Sequence, residues 1–184
     1  MVKTNINLFA EGEVAYTDGG VLAEFAWVLV VLPFIAALII TFVGKSLPLK
    51  GAEIALGTIG IIFFYSLALM YLHITKGVAN EFFINVGSIG QFDIEFGWVV
   101  DGLSIMMYFV VGLVAFLVFI YATNYMEGEI RYTFFFTSLT LFAGSMLVLV
   151  SSPTLIQILI GWELVGVCSY LLIGHYWEVK DNSS

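Results

Sequence analysis

The sequence predicts an all-α polytopic membrane protein with about five transmembrane helices and an outer-side β-hairpin between helices 2 and 3. Three observations predict it. Of the 184 residues, 61% are hydrophobic and 11% charged, and the mean hydropathy is +1.04. A soluble domain carries about a quarter charged residues, so too little polar surface is present to cover a water-facing exterior. Five apolar runs each reach the ~20 residues that a hydrocarbon core requires. Between the second and third runs, one segment alternates apolar and polar residues with a period of two, which is a strand pattern.

A polar segment, residues 1–20, precedes the first span. It holds Glu11, Glu13 and Asp18 and no apolar run of the signal-peptide kind, so span 1 is expected to act as an uncleaved insertion signal. Spans 1 and 2 occupy residues 21–74. Span 1 runs from Val21 to Val43 with Pro33 inside it, a modest kink that neighbouring helices tolerate. Span 2 runs from Ala52 to Ile74. Residues 75–100 are the outer hairpin: Glu81 to Ile89 pairs with Phe92-Asp93-Ile94-Glu95-Phe96-Gly97-Trp98 about Gly90-Gln91. An irregular amphipathic loop is the competing reading of that stretch.

Residues 101–177 contain spans 3 to 5. Span 3 covers Asp101 to Thr123, span 4 Tyr132 to Val150, and span 5 Thr154 to Trp177. Ser151-Ser152-Pro153-Thr154 is a tight turn that places Pro153 at a helix start. Residues 178–184 are a polar end. Lys3 and Lys76 fall on one side of the membrane, and Lys45, Lys50, Arg131 and Lys180 on the other. Positive charge collects in the cytoplasm, so the N-terminus and the hairpin are expected outside and the C-terminus inside.

The net charge of −8 argues against a nucleic-acid partner, which needs clustered Lys and Arg. The lipid bilayer is the expected surrounding. One cysteine, Cys168, forms no intrachain disulfide and no thiolate cluster set, and its expected role is that of a small apolar filler. The two histidines lack ligand spacing with any other donor. No metal or cofactor is expected in this chain.

Glu163 is the main candidate for chemistry. It lies near the middle of span 5, where an acidic side chain costs about 3 kcal/mol on insertion scales. Exposure to lipid is therefore unfavourable, and a carboxyl at this depth is expected to be buried and to exchange protons. Gly166, Val167, Tyr170 and Gly174 follow it at helical spacing, a stripe expected to face inward. Tyr170 adds a hydroxyl. The competing reading is a protonated Glu serving assembly alone. Asp101, at the start of span 3, is a secondary candidate whose plainer reading is a helix N-cap. His175 is another, and its plainer reading is an interfacial anchor beside Tyr176 and Trp177. His73 is a similar anchor on span 2.

Asp101-Gly102-Leu103-Ser104, Tyr121-Ala122-Thr123-Asn124-Tyr125-Met126 and the run from Gly161-Trp162-Glu163 to Leu172-Ile173-Gly174 together resemble the antiporter-like subunits of respiratory complex I. The resemblance is strongest to the subunit L / NADH dehydrogenase subunit 5 family, from Trp98 to Trp177. It implies a proton-translocating membrane subunit that couples NADH:quinone oxidoreduction to pumping. It also implies that Glu163 pairs with a Lys on a later helix and that other complex I membrane subunits, especially antiporter-like ones, are partners. NADH, FMN, iron–sulfur clusters and quinone are then expected in partner subunits. Related modules serve multisubunit sodium/proton antiporters, membrane-bound hydrogenases and inorganic-carbon uptake complexes, and a truncated assembly module is a further alternative. No Lys or Arg lies inside any of the apolar runs. The cation is thus expected from further chain, as in a truncated or split product.

Overall fold

The computed structural model of the chain describes residues 17–18, 20–89, 92–129 and 131–174. Its elements, in order, are β1 (Thr17–Asp18), α1 (Gly20–Glu24), α2 (Trp27–Val43), α3 (Ala52–Lys76), β2 (Val78–Ile89), β3 (Phe92–Val100), α4 (Gly102–Tyr125), α5 (Tyr132–Ser151) and α6 (Leu155–Ile173). A 3-10 turn, Gly44–Ser46, follows α2. Helices α2 to α6 supply five stretches long and apolar enough to cross a membrane. His175, Tyr176, Trp177 and the Gly90-Gln91 connection lie outside the described residues.

The first span differs from its expected form. Residues 20–43 form two helices, with a break at Phe25 and Ala26. The Ala26 N–H bonds the Ala23 carbonyl, a three-residue step. The Leu22 carbonyl instead accepts from the Tyr65 hydroxyl at 2.6 Å. Ala23 and Ala26 are fully buried at this junction, where their small side chains join the core. Fixed in place here, the preceding Thr17–Asp18 adds a short parallel strand to β2.

The predicted hairpin is present and longer than expected. β2 and β3 pair antiparallel from Asn80↔Val100 to Ile89↔Phe92, with an irregularity between Asn85 and Gly87. An extra residue there lets the ribbon twist. Phe82 and Trp98 stack across the pair at 4.3 Å, a cross-strand contact that sets register. The hairpin begins directly after α3. Gly77 takes the left-handed conformation, φ 64, and its N–H caps the His73 carbonyl, a conformation open to glycine at little cost. The His73 ring nitrogen Nδ1 donates to the Val78 carbonyl at 2.7 Å. Gly102, the first residue of α4, packs against the other ring nitrogen of His73. The histidine expected to be a membrane anchor therefore joins three elements.

Helix α5 is the centre of the bundle. It packs on α2 and α6, while α3 packs on α4. Its buried residues include Phe136, Leu139, Ala143, Gly144 and Leu147. Gly144 lies against Pro33 and Phe34 of α2. Small residues allow helices to approach closely where lipid supplies no hydrophobic drive. The hydroxyls of Thr140 and Ser145 bond back to the Phe136 and Leu141 carbonyls, which satisfies them within the apolar interior.

Candidate functional site

Helix α6 carries the candidate carboxyl. Pro153 precedes this helix and does not open it, because Thr154 is the N-cap. The Thr154 oxygen accepts from the Gln157 N–H at 3.4 Å and its hydroxyl donates to the Glu95 carbonyl of β3 at 3.1 Å. The Gln157 side chain then meets the same strand. The Gly97 N–H donates to Gln157 Oε1 at 2.9 Å, and Gln157 Nε2 donates to the Gly97 carbonyl at 2.8 Å. The outer edge of β3 thus finds its backbone partners on the first turn of α6.

The face of α6 toward α5 is set by two small residues. A Cβ on Gly161 would stand 3.0 Å from the Leu149 backbone. Cys168, seven residues on, is buried with Sγ 3.8 Å from Ser145 Oγ. Seven residues are close to two helical turns, so these two and Gln157 line one seam. They are also the buried residues of the helix.

Glu163 is two residues beyond Gly161, about 200° around the helix axis. It lies one residue from the midpoint of Leu155–Ile173 and points away from α5. Its side chain is exposed on the surface of the five-helix body, as are Gly166, Val167 and Tyr170. Tyr170 is 76% exposed. The expected stripe exists, but the expectation that it faces inward, with Glu163 buried, is corrected: it faces out of these five spans. The reason is steric. Gly161 and Cys168 present the flat side of the helix, and α5 takes it. Trp162, at 62% exposed, and Leu155, at 81%, flank the outer face. That face is apolar apart from Glu163 and the Tyr170 hydroxyl, and among the described residues no Lys or Arg lies in the interior of a span.

Asp101 takes its plainer role. It is extended, and its carboxylate accepts from the Ser104 N–H at 2.7 Å as the N-cap of α4. Below it the buried Tyr108 hydroxyl donates to the Val99 carbonyl at 3.3 Å. Asp101 stands at the hairpin end of the bundle, whereas Glu163 is at mid-depth on another helix, so the fold does not bring them together. Tyr170 shares the Glu163 face, and His175 lies outside the described residues.

Sequence reasoning missed Gln157, Thr154 and Gly97. A signal was available. Thr154-x-x-Gln157 is the spacing of a capping box, in which the Gln side chain ordinarily returns to the N-cap N–H. Here Thr154 performs its half, and the Gln157 amide is diverted to Gly97.

Residues 87–136 match the model of the NADH-ubiquinone oxidoreductase (complex I) chain 5 N-terminus. The chain is 37% identical to NAD(P)H-quinone oxidoreductase subunit 5, organellar chromatophore 1, of Paulinella chromatophora, over 86% of this chain and 25% of that one. It is 39% identical to NAD(P)H-quinone oxidoreductase chain 5 of Synechocystis sp., over 86% of this chain and 24% of that one. The chain therefore spans about a quarter of the length of these relatives. Among solved structures, a chain of the membrane-bound sulfane sulfur reductase, an archaeal respiratory membrane complex, matches with a TM-score of 0.64 at 12% identity. That match covers 79% of this chain and 29% of that one, and it shows a shared fold. By sequence, the chain is similar to the complex I chain 5 membrane subunits over the quarter of their length that it spans, and residues 87–136 match the model of their N-terminus.

Proposed function

We propose that this chain is a proton-translocating membrane segment of a complex I-type quinone oxidoreductase, and that Glu163 is its proton-handling carboxyl. The observation that carries the reading is the position of Glu163. Among the described residues it is the single acidic group in the middle of a span, on a face that α5 leaves open. A carboxyl there is tolerated when it is neutral or paired. A Lys on a further helix, laid along the open face, would complete the pair. Proton occupancy of Glu163 would then depend on the distance and charge of that Lys.

The electron-transfer chemistry belongs to other subunits in this reading. NADH or another donor, FMN, iron–sulfur clusters and quinone would bind there, and the antiporter-like membrane subunits would be the neighbours of this one. The hairpin and the N-terminus would face the outside of the cell membrane, because Lys45, Lys50 and Arg131 collect on the opposite side. The structural match to a sulfane sulfur reductase chain supports a second reading, in which the same module is coupled to a different redox reaction. Sodium/proton antiporter, hydrogenase and carbon-uptake complexes are further settings for it, and a non-catalytic assembly module is the remaining one.

The discriminating experiment is replacement of Glu163 by Gln in the assembled complex. Glu163→Gln keeps the shape and removes the exchangeable proton. Slower proton translocation with intact assembly supports the reading. Loss of assembly favours the scaffold reading, and unchanged translocation in sealed vesicles refutes the proton role.

A further inference from the structure

Helix α6 has a positioning problem. Its main helical neighbour is α5, and the contact seam is made by Gly161 and Cys168. Small residues at a seam choose the face that meets the neighbour, but among the described residues the one side-chain bond across it is the weak Ser145–Cys168 contact at 3.8 Å, which does little to fix the height of the helix. A carboxyl whose protonation depends on a partner's distance needs a helix of fixed height and rotation. Misplacement by about 1 Å costs up to about a hundredfold where geometry controls a reaction.

The hairpin end of α6 supplies what the seam lacks. Gln157 is buried, with 6% of its surface exposed, and both polar atoms of its amide are bonded to one residue, Gly97. A reciprocal pair of this kind fixes direction as well as distance, because both bonds weaken together when the helix turns. Thr154 adds a second tie two residues along the same strand, at Glu95. The strand end is itself held. A Cβ on residue 97 would fall 1.9 Å from the Phe82 carbonyl oxygen, so glycine is what lets β3 lie this close to β2. Gln157 precedes Glu163 by six residues, about 9 Å of helix.

We propose that Gln157 is a positioning residue for the proton chemistry of Glu163: through its paired hydrogen bonds to Gly97 it fixes the height and rotation of α6 against the hairpin. This rests on the proton role of Glu163 given above. The hairpin is then a brace for the carboxyl helix, and a movement of β3 is transmitted to Glu163.

The test uses the whole complex, with Cys168 replaced by Ala and nitroxide labels on Asn85→Cys in the hairpin and Tyr170→Cys on α6. Spin-echo distances between them are measured for the parent and for Gln157→Leu and Gln157→Glu, and the pH profile of proton translocation is recorded in unlabelled counterparts. Gln157→Leu is expected to broaden the distance distribution, to slow translocation roughly tenfold and to move its pH profile by roughly half a unit or more. Gln157→Glu decides the matter if the Leu variant fails to assemble. A neutral carboxylic acid can accept from the Gly97 N–H and donate to its carbonyl, whereas a carboxylate can only accept. Its distribution is expected to be narrow at low pH and broad at high pH. The labelled parent, which retains Glu95 and Asp101, provides the control for their titration. A narrow distribution at every pH, or an unmoved translocation profile in variants with broadened distances, overturns the proposal. A failure of the proton role itself is seen separately, as normal translocation in Glu163→Gln.

Discussion

Gln157 and Gly97, sixty positions apart in sequence, exchange two hydrogen bonds of 2.9 and 2.8 Å across the junction of a helix and a strand. The junction links the ribbon at one end of the bundle to the helix that carries the mid-membrane carboxyl. It also leaves the strand edge bonded where an open edge would invite pairing with another chain.

Gly97→Ala is expected to be severely destabilising. Its methyl group would overlap the Phe82 carbonyl oxygen, which is backbone and cannot rotate away. A cost of ~3 kcal/mol follows from overpacking of this kind. Thermal unfolding in detergent checks it, and a melting temperature equal to that of the parent would show that β2 and β3 separate freely.

The seam between α5 and α6 predicts a graded series at Gly161. Ala at this position meets the Leu149 backbone at 3.0 Å and is expected to push the helices slightly apart. Leu is expected to separate them and to lower stability much further. Disulfide trapping of paired cysteines across the seam checks this, with efficiency falling from Gly to Ala to Leu. Equal trapping in all three would contradict the close approach.

Asp101 predicts a separation between capping and charge. Asp101→Ala removes the acceptor for the Ser104 N–H and is expected to cost ~1 kcal/mol. Asp101→Asn keeps an acceptor and is expected to retain most of that stability. If Asn is as damaging as Ala to proton translocation while stability is retained, Asp101 acts through its charge as well.

Membrane orientation is open to a direct measurement. In a Cys168→Ala background, Asn85→Cys on the exposed part of the hairpin is expected to react with an impermeant thiol reagent from outside intact cells. A cysteine at Leu49, exposed in the link between α2 and α3, is expected to react only after permeabilisation. The reverse pattern would invert the topology.

The five spans were legible because hydropathy over ~20 residues is a strong signal that neighbours do not override. The alternation from Phe92 to Trp98 was legible for the same kind of reason, since side chains on a ribbon must divide between two faces. The break at Phe25 and Ala26 was not, because it depends on the Tyr65 hydroxyl reaching the Leu22 carbonyl from 43 residues away. Glu163 could be found from depth alone. Its direction could not, because Gly166, Val167 and Tyr170 are as compatible with an inner wall as with an outer one. The choice was made by Gly161 and Cys168, which fit against Leu149 and Ser145. His73 was read as an anchor because a histidine near a helix end commonly is one, and its bond to Val78 required the turn at Gly77 to be known first.

Proton translocation by sealed vesicles containing the assembled complex, compared between the parent and Glu163→Gln, tests the central claim most directly. Translocation is expected to fall roughly tenfold or more with the amount of assembled complex unchanged. Full translocation by Glu163→Gln would contradict a proton-handling role for this carboxyl.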